Sequence, residues 1–113
     1  MKSLLLIPIL LVVLGSAAAQ GRKVEFTSFQ LSDTVYMLKG AGGNVGISVG
    51  EDGLYLIDDQ IRPVTTQLLQ ALRKISDKPI SFVINTHYHA DHTGGNETVG
   101  KNGTVIIAHN KTL

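Results

Sequence analysis

The sequence predicts an α/β (α+β) fold built on a mixed sheet with a flanking helix. Two observations predict it. Residues 24–57 form short, roughly alternating apolar runs between turn residues, which describes a meander of strands. Residues 63–85 then switch to a helical period followed by a β-branched and aromatic run, which adds a βαβ-type unit to the meander.

Each element has its own signal. Val24 to Gln30 (VEFTSFQ) and Thr34 to Leu38 (TVYML) read as strands separated by a Ser32-Asp33 turn. Gly40-Ala41-Gly42-Gly43 breaks the second, and Asn44 to Val49 (NVGISV) forms the third. Gly50-Glu51-Asp52-Gly53 is a tight turn of residues that tolerate positive φ, and Leu54 to Ile57 is a fourth strand ending at Asp58-Asp59. Pro63 suits the first position of a helix. Val64, Leu68, Ala71, Leu72 and Ile75 then give one apolar stripe at helical spacing. Arg73 and Lys74 lie in its last turn, where cations complement the helix dipole, and Asp77-Lys78-Pro79 ends it. Ile80 to Asn85 (ISFVIN) reads as a buried strand. A short helix starts near Asn96, and Thr104 to Ala108 is a last strand.

The N-terminus reads differently. Leu4 to Leu14 is an uncharged apolar run behind Lys2 and ahead of Gly15-Ser16-Ala17-Ala18-Ala19. That order is a secretory signal peptide cleaved after Ala19, with residues 20–113 as the mature domain, secreted or periplasmic. A membrane span needs about 20 apolar residues, so no stable span is expected after cleavage. Cleavage removes Lys2, so ten Lys and Arg against nine Asp and Glu become nine against nine. A neutral chain without a basic stripe argues against a nucleic-acid partner. The absence of cysteine excludes a disulfide framework.

The chemistry lies in Thr86-His87-Tyr88-His89-Ala90-Asp91-His92-Thr93-Gly94-Gly95, which holds three of the four histidines just past the predicted buried strand. If the chain stays extended through His87 and His89, both imidazoles face one side and can grip one metal. Asp91 and His92, in a segment turning toward Gly94-Gly95, are aimed at a second. Imidazole with carboxylate suits zinc, with iron or manganese as alternatives. Two such ions about 3.5–4 Å apart can share a bridging hydroxide and clamp a substrate oxygen, and Asp91 can orient that hydroxide as a catalytic group.

The segment Thr86 to Asn96 (THYHADHTGGN) closely resembles the HxHxDH signature of the metallo-β-lactamase-fold hydrolases. Upstream, Gly43 to Val49 and Leu54 to Asp58 are similar to the strands that lead to that family's first-motif aspartate. The resemblance implies that His87 and His89 bind one metal and Asp91 and His92 the other, with Asp58 supporting them from behind. It leaves Asp59 open and does not make His109 a ligand. It also implies that this chain corresponds to the N-terminal half of an αββα sandwich. The remaining ligands and the missing C-terminal half of the domain would then lie elsewhere, and the chain reads as a fragment. The implied function is zinc-dependent hydrolysis of a small-molecule ester, thioester, lactone or lactam. The superfamily this chain resembles includes β-lactamases, glyoxalase-II-like thioesterases, lactonases, sulfatases, phosphodiesterases, nucleases and iron oxygenases, and the resemblance points to a glyoxylase-like or general metallohydrolase. A non-catalytic metal-binding module and an iron-dependent oxygenase of the same fold are the alternatives.

Overall fold

A computed structural model describes residues 23–112. The expected signal segment, residues 1–19, lies outside the described residues. Among those described, no helix is long and apolar enough to cross a membrane.

Among the described residues six strands form one sheet in sequence order: β1 (Thr27–Gln30), β2 (Val35–Lys39), β3 (Val45–Val49), β4 (Leu54–Ile57), β5 (Ile80–Ile84) and β6 (Val105–Ile107). The first four pair antiparallel through short turns. β5 pairs parallel with β4 and with β6, because each connection crosses over one face through helix. A 3₁₀ turn at Arg62–Val64 runs into α1 (Thr65–Ile75), and α2 (Ala90–Thr93) and α3 (Asn96–Gly100) link β5 to β6. The mixed sheet and the flanking helix therefore stand where the sequence puts them. The first strand is shorter than expected, starting at Thr27. Pro63 opens a 3₁₀ turn rather than the α-helix itself.

The core occupies one face of the sheet. The cross-strand row Tyr36, Ile47, Leu56, Val83 and Ile106 points to that face. Leu68 and Leu72 of α1 and Val99 of α3 close over it, all buried with Ile47, Leu56 and Val83. The opposite row runs Phe29, Met37, Gly46, Ile57, Ile84 and Ile107. Here Ile57, Ile84 and Ile107 remain 50%, 45% and 44% exposed. β5 is thus covered on one side only, which corrects the reading of Ile80 to Asn85 as a strand buried on both faces. The hydrophobic run belongs to a strand whose second face is apolar yet uncovered, and a groove of about 610 Å³ lies along that face.

The Gly50–Gly53 turn closes β3 to β4 by a Gly50 N–H donating to Gly53 O at 2.8 Å. Neither glycine takes a positive φ. Space requires them instead: a Cβ on Gly53 would stand 2.1 Å from Ser81 Oγ, and one on Gly50 would stand 2.4 Å from the Tyr55 ring. Among the described residues, left-handed backbone occurs at two non-glycine positions, Asp58 (φ 64°) and Gln60 (φ 72°), directly after β4.

Leu68→Ala, at a fully buried position under the sheet, is expected to lower unfolding free energy by about 2–5 kcal/mol. Ile57→Ala on the open face should cost less in this chain, and urea unfolding compares the two.

Candidate metal centre

The site lies at the carboxyl ends of β4 and β5, where the end of one strand meets the loop after the other. Asp58 follows β4 and continues its ladder, its N–H donating to Ile84 O at 3.0 Å. Its carboxylate is buried and accepts three hydrogen bonds from the loop beyond β5. Thr86 N–H reaches Oδ1 at 2.8 Å, Thr86 Oγ1 reaches Oδ2 at 2.8 Å, and His92 Nδ1 reaches Oδ2 at 2.7 Å. Asp58 is thus tied to Thr86 and His92 of that segment.

These bonds fix the proton positions. A carboxylate only accepts, so His92 carries its hydrogen on Nδ1 and, when neutral, presents a bare Nε2. Thr86 donates its hydroxyl hydrogen to Asp58, so that hydroxyl accepts from His87 Nδ1, 2.9 Å away. His87 Nε2 is then bare as well. It faces His89 Nδ1 at 3.1 Å, and His92 Nε2 faces Asp91 Oδ2 at 3.4 Å. With metal–ligand bonds of about 2.0–2.1 Å, two tetrahedral ligands stand about 3.3 Å apart. The two gaps have that width, and their nitrogen and oxygen donors fit zinc. The His87 and His92 rings are 4.1 Å apart, so the two pairs adjoin. Among the described residues no group of three or more His, Asp or Glu forms a complete metal cage. The chain offers two converging pairs.

The backbone differs from the expected extension. Residues 86–88 bend, and α2 begins at Ala90 after an extended His89 (φ −62°, ψ 141°). The bend still brings His87 and His89 together. The one-turn helix then brings Asp91 and His92 together, and His92 bonds back to Asp58. His109 stands apart at the end of β6, exposed, its Nδ1 accepting from Lys111 N–H.

Four residues outside the predicted set hold the centre. Thr86 relays Asp58 to His87. Asn85 donates Nδ2–H to His92 O at 3.2 Å and accepts from Asn96 at 2.7 Å, pinning α2 to α3. Asp59 is fully buried; its N–H donates to His92 O, and its Oδ1 accepts from Gly95 N–H at 2.9 Å. Its Oδ2 has no hydrogen-bond partner among the described residues. Burial pushes the Asp59 carboxyl up to about 7, against the Gly95 hydrogen bond, with the Asp58 charge adding to the rise. Gln60 is fully buried and tied to the Gly40–Gly43 loop. Asp59 and Gln60 had a partial signal, polar residues without glycine at a strand end. Nothing in the sequence marks Asn85 as a partner of Asn96.

Residues 38–113 match the family model described as the metallo-beta-lactamase superfamily. The chain belongs to the metallo-β-lactamase superfamily. A linear primary-alkylsulfatase of Pseudomonas sp. is 40% identical over 72 residues, covering 55% of this chain and 13% of the relative. An alkyl/aryl-sulfatase of Saccharomyces cerevisiae is 35% identical over 80 residues, covering 68% and 12%. The chain therefore spans about an eighth of the length of these curated relatives. A subclass B3 metallo-β-lactamase of Bradyrhizobium japonicum superposes with a TM-score of 0.65 at 30% identity, covering 73% of this chain and 32% of that one. A metallo-β-lactamase of Pseudomonas aeruginosa in its mono-zinc form gives 0.70 at 25%, covering 83% and 46%. The sheet and helices of this superfamily chain thus have counterparts in about a third to a half of each lactamase.

In the metal-free protein the Asp59 carboxyl couples stability to pH. Its folded pKa of about 7 lies above the ordinary 3.8, so the folded state holds the proton more tightly. Stability is then unpenalised below about pH 4 and declines as pH rises toward 7. Asp59→Asn, which keeps the Oδ1 acceptor without the charge, should flatten that decline in urea midpoints measured from pH 4 to 8.

Proposed function

We propose that the chain carries part of the active centre of a zinc-dependent hydrolase. In this reading His87 and His89 hold one ion, and Asp91 and His92 hold a second. The observation that supports it most is the pair of donor gaps described above, each the width of a tetrahedral ligand pair and each backed by Asp58. Zinc bound there would supply water activation and Lewis-acid polarisation at neutral pH. The chain's own residues do the rest. Asp58 keeps the His92 hydrogen on Nδ1 and, through Thr86, the His87 hydrogen on Nδ1, so both Nε2 atoms stay free to bind. Asp91, its side chain 42% exposed, is the carboxylate open to solvent that can accept a proton from the attacking water. The remaining ligands, and a layer over the apolar face of Ile57, Ile84 and Ile107, belong in this reading to further polypeptide.

A sulfate ester is the substrate class we favour, since both curated relatives are named as sulfatases and are 40% and 35% identical. A β-lactam is the second reading, from the lactamase likeness at 30% identity. Export through the N-terminal signal segment completes the proposal.

Metal analysis of the protein expressed from its gene tests the first part. Zinc is expected, with the double variant His87→Ala/His89→Ala losing one ion and turnover. Asp58→Asn is expected to weaken zinc binding by about 10–100-fold while the fold persists. Protein without zinc under any loading would overturn the reading, and iron in its place would turn it toward an oxygenase. Sulfate release from an alkyl sulfate against ring opening of a β-lactam decides the substrate class.

A further inference from the structure

Gln60 is tied to the Gly40–Gly43 loop but touches neither Asp58 nor a histidine side chain in any hydrogen bond among the described residues. Its side chain is fully buried and its backbone is left-handed at φ 72°. A non-glycine residue in that region costs about 1–2 kcal/mol, and glycine would adopt it freely. The side chain therefore does something a glycine cannot. Its Oε1 accepts from Gly42 N–H at 3.0 Å, and its Nε2 donates to Gly43 O. One carboxamide thus satisfies both a donor and an acceptor of the loop between β2 and β3. That loop lies directly against the second ligand pair. A Cβ on Gly43 would stand 2.6 Å from His92 Cε1 and 2.8 Å from its Nε2, and one on Gly42 would stand 2.9 Å from Asp91 Cβ. The glycines leave the space that the Asp91 and His92 side chains fill. Gln60 O also accepts from Gly94 N–H at 2.9 Å, so the same residue holds the end of α2.

We propose that Gln60 is a positioning residue: its buried carboxamide clamps the Gly42–Gly43 loop onto Asp91 and His92 and fixes where that pair stands. His92 then lies between two restraints, Asp58 on its Nδ1 side and the glycine loop against its Nε2 edge. The link to metal binding rests on the proposed function, whereas the clamp itself can be read without metal.

Gln60→Gly relieves the left-handed strain and removes both hydrogen bonds. Gln60→Met keeps a side chain of similar length in the pocket and also removes both. Two readouts are made on the protein expressed from its gene. In metal-free protein, hydrogen exchange of the Gly42 amide should quicken about tenfold or more in both variants, and the His92 ring resonances should shift. In zinc competition titrations, both variants should bind about tenfold more weakly. Their unfolding midpoints should diverge, Gln60→Gly losing less because its strain is relieved. Unchanged Gly42 exchange and His92 resonances in Gln60→Met would overturn the clamp whatever the metal result. Perturbed exchange with parental zinc affinity would overturn the positioning role. A parent that binds no zinc, with exchange perturbed, would leave the clamp supported and sink the metal reading.

Discussion

The Asp58 carboxylate is the constraint on which the rest of the site depends. It sits at the end of β4, 34 residues from His92 and 28 from Thr86, and it binds both. A buried carboxylate stripped of water must find donors within the protein, and here they all come from the loop that bears the histidines. The bonds that satisfy Asp58 therefore also choose the tautomers of His87 and His92 and the angle at which their rings leave the loop. A first layer of geometry follows from one desolvated charge.

Parallel pairing of β4 with β5 is what makes that meeting possible. In a parallel pair the carboxyl ends of both strands lie at one edge, so the residue after β4 and the loop after β5 emerge together. The crossover through α1 sets this arrangement, and the buried stripe of Leu68 and Leu72 anchors it to the sheet. Asp58, Asp59 and Gln60 then stitch successive points of the second loop to the first. The left-handed backbone at Asp58 and Gln60 is held by these bonds, local strain set against several hydrogen bonds in a dry environment.

Half of the sheet tells a different story. The face toward α1 and α3 is a packed core, whereas the face of Ile57, Ile84 and Ile107 is equally apolar and lies open. Strand periodicity alone does not separate these cases, because both faces use β-branched residues. That is why β5 reads as a fully buried strand in sequence although only one side is covered. The candidate metal centre is likewise incomplete, with two donor pairs and no third partner among the described residues.

The sequence by itself determined the succession of strands along the chain and the position of α1, and it singled out His87, His89, Asp91 and His92 as candidate ligands. Those follow from local periodicity, from turn residues and from a spacing of a few positions, all short-range properties of a chain. The tertiary structure alone decided that Thr86 relays Asp58 to His87, that Asn85 and Asn96 pin the two short helices, and that Gln60 reaches the glycine loop. It also turned the expected extension at residues 86–88 into a bend and the positive-φ turn at Gly50–Gly53 into one governed by crowding. These are contacts between residues 11 to 36 positions apart, and bends that such contacts impose. A polar side chain carries no local mark of the distant partner that burial will force it to find.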